Sequence, residues 1–595
     1  HEDALDKQLN INKRTRDLVD RSIHISDGDS STPSLTVPSL TLRASKALTF
    51  DSSGNVTVTD PATASGTTVT ATGTTTARAL QERFAEVFNV KDFGATGDGV
   101  TDDAVAINAA LAAAKANARS VVTFPPGTYI VSAPLNLGTG TTISGYGAHL
   151  FLTNGVNNHV IRVDTDATDV NIMGISIDGN KANQTAGVGI AVVGSVGYSD
   201  RIVIQDCRVV DTEDPGIQII KGREVKILNN FVSDTNSTGI QLQGGTEKVV
   251  ITGNHVVNTY EGNISIGGVA TYVTVSNNVC DTAGSFGDGV VGYDEANYGF
   301  TVTGNVCRNG SNHGIHIGGS GKLVVADNII ENPVNSGVFL GNSNHSYSLI
   351  DGFSVTGNVI HDATSGINVQ GCQRGTISGN AVDSSNTGLQ LTDITQCAVV
   401  GNTSVNNTVH GIRNAGVSNS TITGNVCSGN GAAGVTIQAG TGESHHNVIS
   451  GNNVRDNAGQ GLAFLNSENN NYAQGNFVFG NTPNLTVTAA TTDATLNFTN
   501  TAGIRSVAAA ASITLPTNGN AILVTDTGTT TINTIVASFV GRVVTLLFPL
   551  TATVVGDGTG NVYLAGTFTA SGTANDTLTL LCNGTNWYEV SRSAN

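Results

Sequence analysis

Ile251-Thr-Gly-Asn-His-Val-Val-Asn-Thr-Tyr-Glu-Gly-Asn-Ile-Ser-Ile-Gly-Gly-Val-Ala-Thr-Tyr-Val-Thr-Val-Ser-Asn-Asn-Val-Cys280 carries one full period of a repeat. It opens on Gly253-Asn254 and closes on Asn277-Asn278, and this two-residue mark, mostly Gly-Asn or Asn-Asn, recurs along the chain. The marking residues are Asn230, Asn254, Asn278, Asn305, Asn328, Asn358, Asn380, Asn402, Asn425, Asn452 and Asn476, spaced 24, 24, 27, 23, 30, 22, 22, 23, 27 and 24 apart. A period in the low twenties held this long denotes a solenoid, in which each repeat buries its apolar face against its neighbours.

A second mark runs in phase. Gly followed by an apolar residue comes at Gly239-Ile240, Gly289-Val290, Gly314-Ile315, Gly337-Val338, Gly366-Ile367, Gly388-Leu389, Gly411-Ile412, Gly434-Val435 and Gly461-Leu462. Alternation follows, as in Ile240-Gln241-Leu242-Gln243, which is the period of a strand with one face inside. Asn and Gly both tolerate φ > 0, so the two marks read as corners between short strands. With no Leu-rich template and no helix per repeat, the reading is an all-β, right-handed parallel β-helix.

The columns agree with that reading. Two residues beyond each mark stand Val232, Val256, Cys280, Cys307, Ile330, Ile360, Val382, Ser404, Cys427, Val454 and Val478, which are aliphatic or Cys except for Ser404. The Asn column itself reads as a ladder of side-chain amides satisfying turn backbone groups.

Composition narrows the class. In 595 residues there are 72 Gly, 12% charged and 5% aromatic residues, which suits many tight turns and excludes a helical enzyme or a disordered chain. A net charge of −18 argues against a nucleic-acid partner, since phosphate binding needs a basic surface. The seven Cys lack CxxC spacing and three fall in the interior column, so they read as reduced core residues rather than disulfides or metal ligands. No apolar run reaches the roughly 18 residues of a membrane span.

Residues 1–25 are charge-rich, with Leu5, Leu9, Ile11, Leu18, Val19 and Ile23 at roughly helical intervals, and read as a helical neck. Residues 26–89 form a Ser/Thr-rich spacer with short strands, for which disorder is the alternative. Then comes Val90-Lys-Asp-Phe-Gly-Ala-Thr-Gly-Asp-Gly-Val-Thr-Asp-Asp103, followed by Val122-Thr-Phe-Pro-Pro-Gly-Thr-Tyr129. Thr101 or Asp102 suits the N-cap of a helix to about Ala116, whose stripe of Ala104, Ile107, Ala110, Leu111 and Ala114 would close the open end of the β-helix.

These residues resemble the pectate-lyase-like family of viral tailspikes, in which the same opening and the Phe-Pro-Pro-Gly-x-Tyr turn begin the β-helix. The resemblance implies that Asp98, Asp102 and Asp103 cap and turn rather than catalyse. The β-helix is expected over 90–483. Residues 484–595 read as a C-terminal β-sandwich, and the closing Gly584-Thr-Asn-Trp-Tyr-Glu589 resembles C-terminal domains of phage tail proteins, which trimerise and in some cases bind sugar. Trp587 is then a sugar platform or a core residue.

What the resemblance implies is a homotrimeric phage tailspike on the virion, acting outside the host cell on a bacterial surface polysaccharide, O-antigen or capsule. The chain opens at His1 without a signal-peptide pattern, and a missing N-terminal part is expected to join it to the rest of the phage tail.

Outward positions on the strands after Gly carry Gln218, Gln241, Gln243, His316, Asn368, Gln370, Gln390, Arg413 and Gln438, a polar strip suited to the hydroxyls of a long glycan or to an ordinary solvated face. Acids and imidazoles concentrate between 211 and 316. Glu213, Asp214, Glu261, Asp288 and His313 precede the Gly corners, and a longer loop adds Tyr293, Asp294, Glu295 and Tyr298. Insertions around 342–351 and 440–446 would wall a groove.

Hydrolysis needs a carboxylic acid and a second carboxylate, which Glu261, Asp288, Asp294 and Glu295 offer. Elimination from a uronic sugar needs a base at C5 and a group to take the carboxylate's charge, which His313, His316, Tyr260, Tyr293 and Arg308 offer. The count of acids leans to hydrolysis by an endo-acting depolymerase, with a lyase and a non-catalytic adhesin as alternatives. Substrate-binding candidates are Gln241, Gln243, Tyr293, Tyr298, Arg308, His316, Asn368 and Gln370. No metal site or cofactor is expected, because no Asp cluster matches a calcium site.

Overall fold

The computed structural model describes residues 2–20, 36–60, 68–84, 86–117, 120–284, 287–292, 297–319, 321–341, 350–465, 470–487, 493–500, 505–515, 521–525, 531–536, 538–548, 554–555, 560–570 and 576–593. The chain divides into two units, His1–Phe88 and Asn89–Asn595. In the first, the helix Glu2–Asp20 leaves Leu5, Leu9 and Ile11 exposed. Two short antiparallel pairs follow, Ala47–Phe50 with Val56–Thr59 and Thr68–Thr70 with Ala77–Ala79.

In the second unit the chain winds as a parallel β-solenoid. Each coil gives one short strand to a 15-stranded parallel sheet, and further strands to a 33-stranded sheet that makes up the other two sides. The register is strict. Ile217, Ile240, Ile264, Val290, Ile315, Val338, Ile367, Leu389, Ile412, Val435 and Leu462 pair in one file and point inward.

Every residue of the column two beyond the Asn mark is at most 1% exposed. Ser404 belongs there because its hydroxyl is satisfied: Oγ donates to Gly411 O at 2.8 Å and accepts from Asn407 Nδ2 at 3.0 Å. All seven cysteines are free and buried.

The Asn column forms the expected ladder. Backbone N–H and Nδ2 of each Asn donate to Oδ1 of the next, as from Asn254 to Asn278 at 2.9 Å each, and from Asn425 to Asn452 at 2.9 Å each. Nδ2 also donates to an inner carbonyl, such as Asn278 to Ile251 O at 3.0 Å. Every amide proton is thereby used in a core that would penalise an orphan. The preceding residue is left-handed, for instance Asn229 at φ 54° and Gly253 at φ 69°.

The helix Ala104–Ala116 buries the expected stripe and packs on the strand Leu135–Leu137, which begins the 15-stranded sheet. Its N-cap is Asp103, one or two residues later than Thr101 or Asp102, because each acid before it is committed to a turn. Asp98 accepts from the N–H groups of Thr101 and Val100, which hold its carboxyl down at about 2. Asp102 accepts from Ser132 and Ala104 N, and Asp103 from Thr96 and Gly97 N.

Beyond the coils, a six-stranded mixed sheet and two smaller sheets share one apolar core. Trp587 is 0% exposed within it, so it packs as a core residue.

Candidate functional site

The glycines that open the strands of the 15-stranded sheet leave no room for a side chain. A Cβ on Gly314 would lie 2.4 Å from Ile330 Cγ2, and one on Gly289 3.0 Å from Cys307 Sγ. Side-chain chemistry is therefore displaced to the residues just before and just after them. Asp288, His313 and Ser336 each immediately precede such a glycine in three successive coils, stacked by the bonds Gly289 N to His313 O at 3.1 Å and Gly314 N to Ser336 O at 2.9 Å.

The side chains continue this stack as a short ladder. His313 N donates to Asp288 Oδ1 at 2.7 Å, and Ser336 N donates to His313 Nδ1 at 3.0 Å. Its polarity is opposite to that of the Asn ladder, since here the later coil donates to the earlier one. On the strand Ile315–Ile317, the inward Ile315 and Ile317 turn His316 outward, and its Nδ1 lies 3.5 Å from Asp288 Oδ2. His316 pairs in register with Phe339 on the next strand. Phe339 stacks on His313 with centroids 4.9 Å apart and planes at 11°, and meets His316 edge-on at 4.9 Å. Asp288 is 0% and His316 9% exposed, and the carboxylate meets the His313 main-chain N–H on one oxygen and the His316 ring on the other.

Burial, then the neighbouring His316, bring the His313 imidazole down to about 4, with Asp288 opposing them. His313 is therefore neutral at neutral pH. A neutral imidazole carries one N–H, and because Nδ1 accepts from Ser336, the proton sits on Nε2.

Among the described residues this is the one group of three Asp, Glu, His or Cys side chains whose ligating atoms lie within 4.8 Å of one another. A carboxylate and two imidazoles would suit a transition metal by softness. The commitment of His313 Nδ1 to Ser336 does not fit a ligand set. A metal on Nε2 would move the proton to Nδ1 and set it against the Ser336 N–H.

The other candidates are dispersed. Glu261 is exposed and turned to the preceding coil, where Oε2 accepts from Ser237 Oγ at 3.1 Å and Thr238 Oγ1 at 3.2 Å, whereas Asp288 is turned to the following coil. Arg308 lies on a different side of the solenoid, paired with Glu331 at 2.9 Å. Tyr298 sits at the far corner of the 15-stranded sheet, edge-on to Tyr272 at 5.8 Å and beneath Lys322 at 5.3 Å. Gln241 Oε1 accepts from Gln218 Nε2 at 2.7 Å, and Asn368 Oδ1 from Gln370 Nε2 at 3.2 Å, forming the polar strip with the exposed Gln243. Tyr293, Asp294, Glu295 and most of the 342–351 insertion lie outside the described residues.

Sequence reasoning missed Ser336 and Phe339. Ser336 acts through its backbone and left no signal. Phe339 did leave one, an aromatic at the outward position that carries Asn368 and Gln390 in the two coils after it.

In comparison with known proteins, three family models match parts of the chain, the first two overlapping. A family described as rhamnogalacturonase A/epimerase, pectate lyase-like, matches residues 87–165, a right handed beta helix region 136–280, and a periplasmic copper-binding protein (NosD) 347–511. Residues 281–346, which hold Asp288, His313, His316 and Phe339, fall between them. The mannuronan C5-epimerase AlgE6 of Azotobacter vinelandii is 35% identical over 111 residues, 16% of this chain and 13% of that protein, so the chain spans a small part of this relative's length. Among solved structures, an exopolygalacturonase from Thermotoga maritima is 12% identical with a TM-score of 0.43, covering 50% of this chain and 87% of that one. The Dettilon tailspike protein is 15% identical with a TM-score of 0.37, covering 69% and 70%.

Proposed function

We propose that this chain is a tailspike-type depolymerase that binds a bacterial surface polysaccharide on the outer face of the 15-stranded sheet and cuts it internally by β-elimination at a uronic sugar. One observation carries the reaction type: a ring nitrogen of each of His313 and His316 lies within 4.8 Å of the Asp288 carboxylate, while Glu261 turns to the other neighbouring coil. Hydrolysis, favoured by the count of acids, would need two carboxyl groups flanking one bond.

In this reading His316, held beside the Asp288 carboxylate, takes the proton from C5. The C4–O bond then breaks as a C4–C5 double bond forms, and the leaving oxygen is protonated by solvent. The similarity to a mannuronan C5-epimerase, over 16% of this chain, is in keeping with chemistry at a uronic C5. The open, rigid sheet and its Gln and Asn strip suit a long chain and internal cutting. From the tailspike resemblance come a homotrimer assembled through 484–595, the helix 104–116 as a cap, and a place on the virion.

The test is incubation with uronic-acid capsular and O-antigen polysaccharides. Unsaturated products absorbing in the ultraviolet support elimination. New reducing ends without that absorbance would return the reaction to hydrolysis, and intact polymer bound with measurable affinity would leave an adhesin. Light scattering that gives a monomer at micromolar concentration would remove the trimer.

A further inference from the structure

We infer that His313 serves as a neutral hydrogen-bond donor through Nε2–H, taking the carboxylate of a uronic sugar without a metal ion. This rests on the elimination reading for its substrate, and on the geometry of the unliganded protein for its tautomer.

Elimination builds negative charge on the sugar carboxylate, and some group must receive it. Arg308 is engaged by Glu331 on another side of the solenoid. His316 is placed beside Asp288 as the base. His313 is what remains at this cluster. Its Nδ1 is fixed as an acceptor by Ser336 N–H at 3.0 Å, and the ring is held in plane by Phe339 at 4.9 Å and 11° and abutted by His316 at 5.0 Å and 68°. Among the described residues the titratable groups facing it are Asp288 and His316. Asp288 Oδ1 receives the backbone N–H of His313 at 2.7 Å, so the carboxylate's hydrogen bond in this pair is to the His313 main chain. A neutral N–H in a buried setting strengthens as charge develops on its acceptor, and it needs no counter-ion of its own. Phe339 is then a positioning residue that fixes the direction of this donor.

The experiment uses the full chain with histidine-selective 15N labelling at neutral pH. The expected result is an unprotonated Nδ1 and a protonated Nε2 at His313, unmoved by equimolar zinc or nickel chloride. Sodium galacturonate or glucuronate at high millimolar concentration should shift the Nε2–H resonance, and neutral galactose should not. Phe339→Leu should populate both tautomers and weaken the uronate shift several-fold. A proton on Nδ1, capture of either metal at His313, or no response to either uronate would each overturn the proposal. Failure of the elimination reading shows separately, as reducing ends without ultraviolet absorbance.

Discussion

The corner that leads into the 15-stranded sheet is built in two opposite ways along the molecule. From Ser385 onward it repeats the amide ladder: Ser385 N donates to Asn407 Oδ1 at 3.1 Å, and Asn407, Asn430 and Asn457 each donate N–H and Nδ2 to the next Asn at 2.7–3.1 Å. In the earlier coils the same column reads Thr259, Ala283, Gly310, Pro333 and Ala363, and no amide ladder can form from those residues. That ladderless stretch leads into Asp288, His313 and His316. Ladder and site draw on different coil-to-coil N–H groups: the amides accept those of Ser385, Asn407, Asn430 and Asn457, whereas the carboxylate and the imidazole accept those of His313 and Ser336, in the column of Ser365, Thr387 and His410.

The sharpest way to break this comparison is to exchange histidines. His410 stands in the same column as His313, reached through Ser365 and Thr387, and it too is half-buried and depressed, by that burial first and then by Arg413. No Asp288 faces it in register. His316→Ala should lower turnover by about 10²–10⁴ as loss of the general base, while His410→Ala should change it by less than about twofold. Equal losses from both would mean that the polar strip, and not the cluster, is the working surface.

Stability should divide the other way. Asn430→Ala leaves Asn407 N and one of the two Asn407 Nδ2 protons without an acceptor in the core, the other staying on Ser404 Oγ, and removes the bond from Asn430 Nδ2 to Asn457 Oδ1 at 2.7 Å. The expected cost is about 2–4 kcal/mol by urea unfolding, from roughly 1–3 kcal/mol per buried orphan, with activity intact. Thr259→Ala in the ladderless stretch should cost about 1 kcal/mol, as the hydroxyl bond to Glu261 O at 3.2 Å is lost, while Asn263 Nδ2, which donates to that hydroxyl, keeps Val256 O and Asp281 O as acceptors. Similar values for the two would show that the ladder adds nothing to the corner.

This division explains what was legible from the chain alone. The Asn and Gly marks recur because they solve one backbone problem many times, so periodicity exposes them. Asp288, His313 and His316 were visible as departures from the repeat, but their association depends on one strand turning His316 outward. Glu261 looked equivalent to Asp288 in position, but in register Gly262 stands where Asp288 does, and the exposed Glu261 carboxylate meets the preceding coil rather than the following one. Spacing carries no information about that direction, nor about the backbone N–H of Ser336.

Titration offers a smaller and signed difference. His313 is held down at about 4, so between its ordinary 6.5 and that value the unfolded chain binds a proton that the native site refuses. Stability must therefore fall as pH drops through this window, by at most roughly 3 kcal/mol for 2.5 pH units. On another side of the solenoid His361 is raised by its bond to Asp383 at 2.9 Å, and its contribution is present at low pH and lost as pH rises through the raised value. His313→Asn should flatten the acid limb of a stability–pH curve, and His361→Asn the near-neutral limb. An unchanged acid limb in His313→Asn would place the imidazole in solvent.

The smallest expected effect tests whether the two stretches share one core beneath their different surfaces. Cys280 and Cys307 are stacked one coil apart inside the site stretch, and Cys427 lies inside the ladder stretch, all at most 1% exposed. Burial pushes the Cys427 thiol up beyond the ordinary range, and the Cys307 thiol and burial do the same for Cys280, so no reactive thiolate is available in either place. Valine is already the residue on one side of each, Val256 before Cys280 and Val454 after Cys427. Cys280→Val and Cys427→Val should therefore each cost less than about 1.5 kcal/mol, as near-isosteric exchanges in a packed file, and thiol reagents should label neither position before unfolding. A larger loss at Cys280 alone, or its rapid labelling in the native protein, would show that the coils around the cluster have given up packing as well as their ladder. Matching values would confine the difference to the outward side chains, with the same stacked interior holding the chemistry in one stretch and the amide ladder in the other.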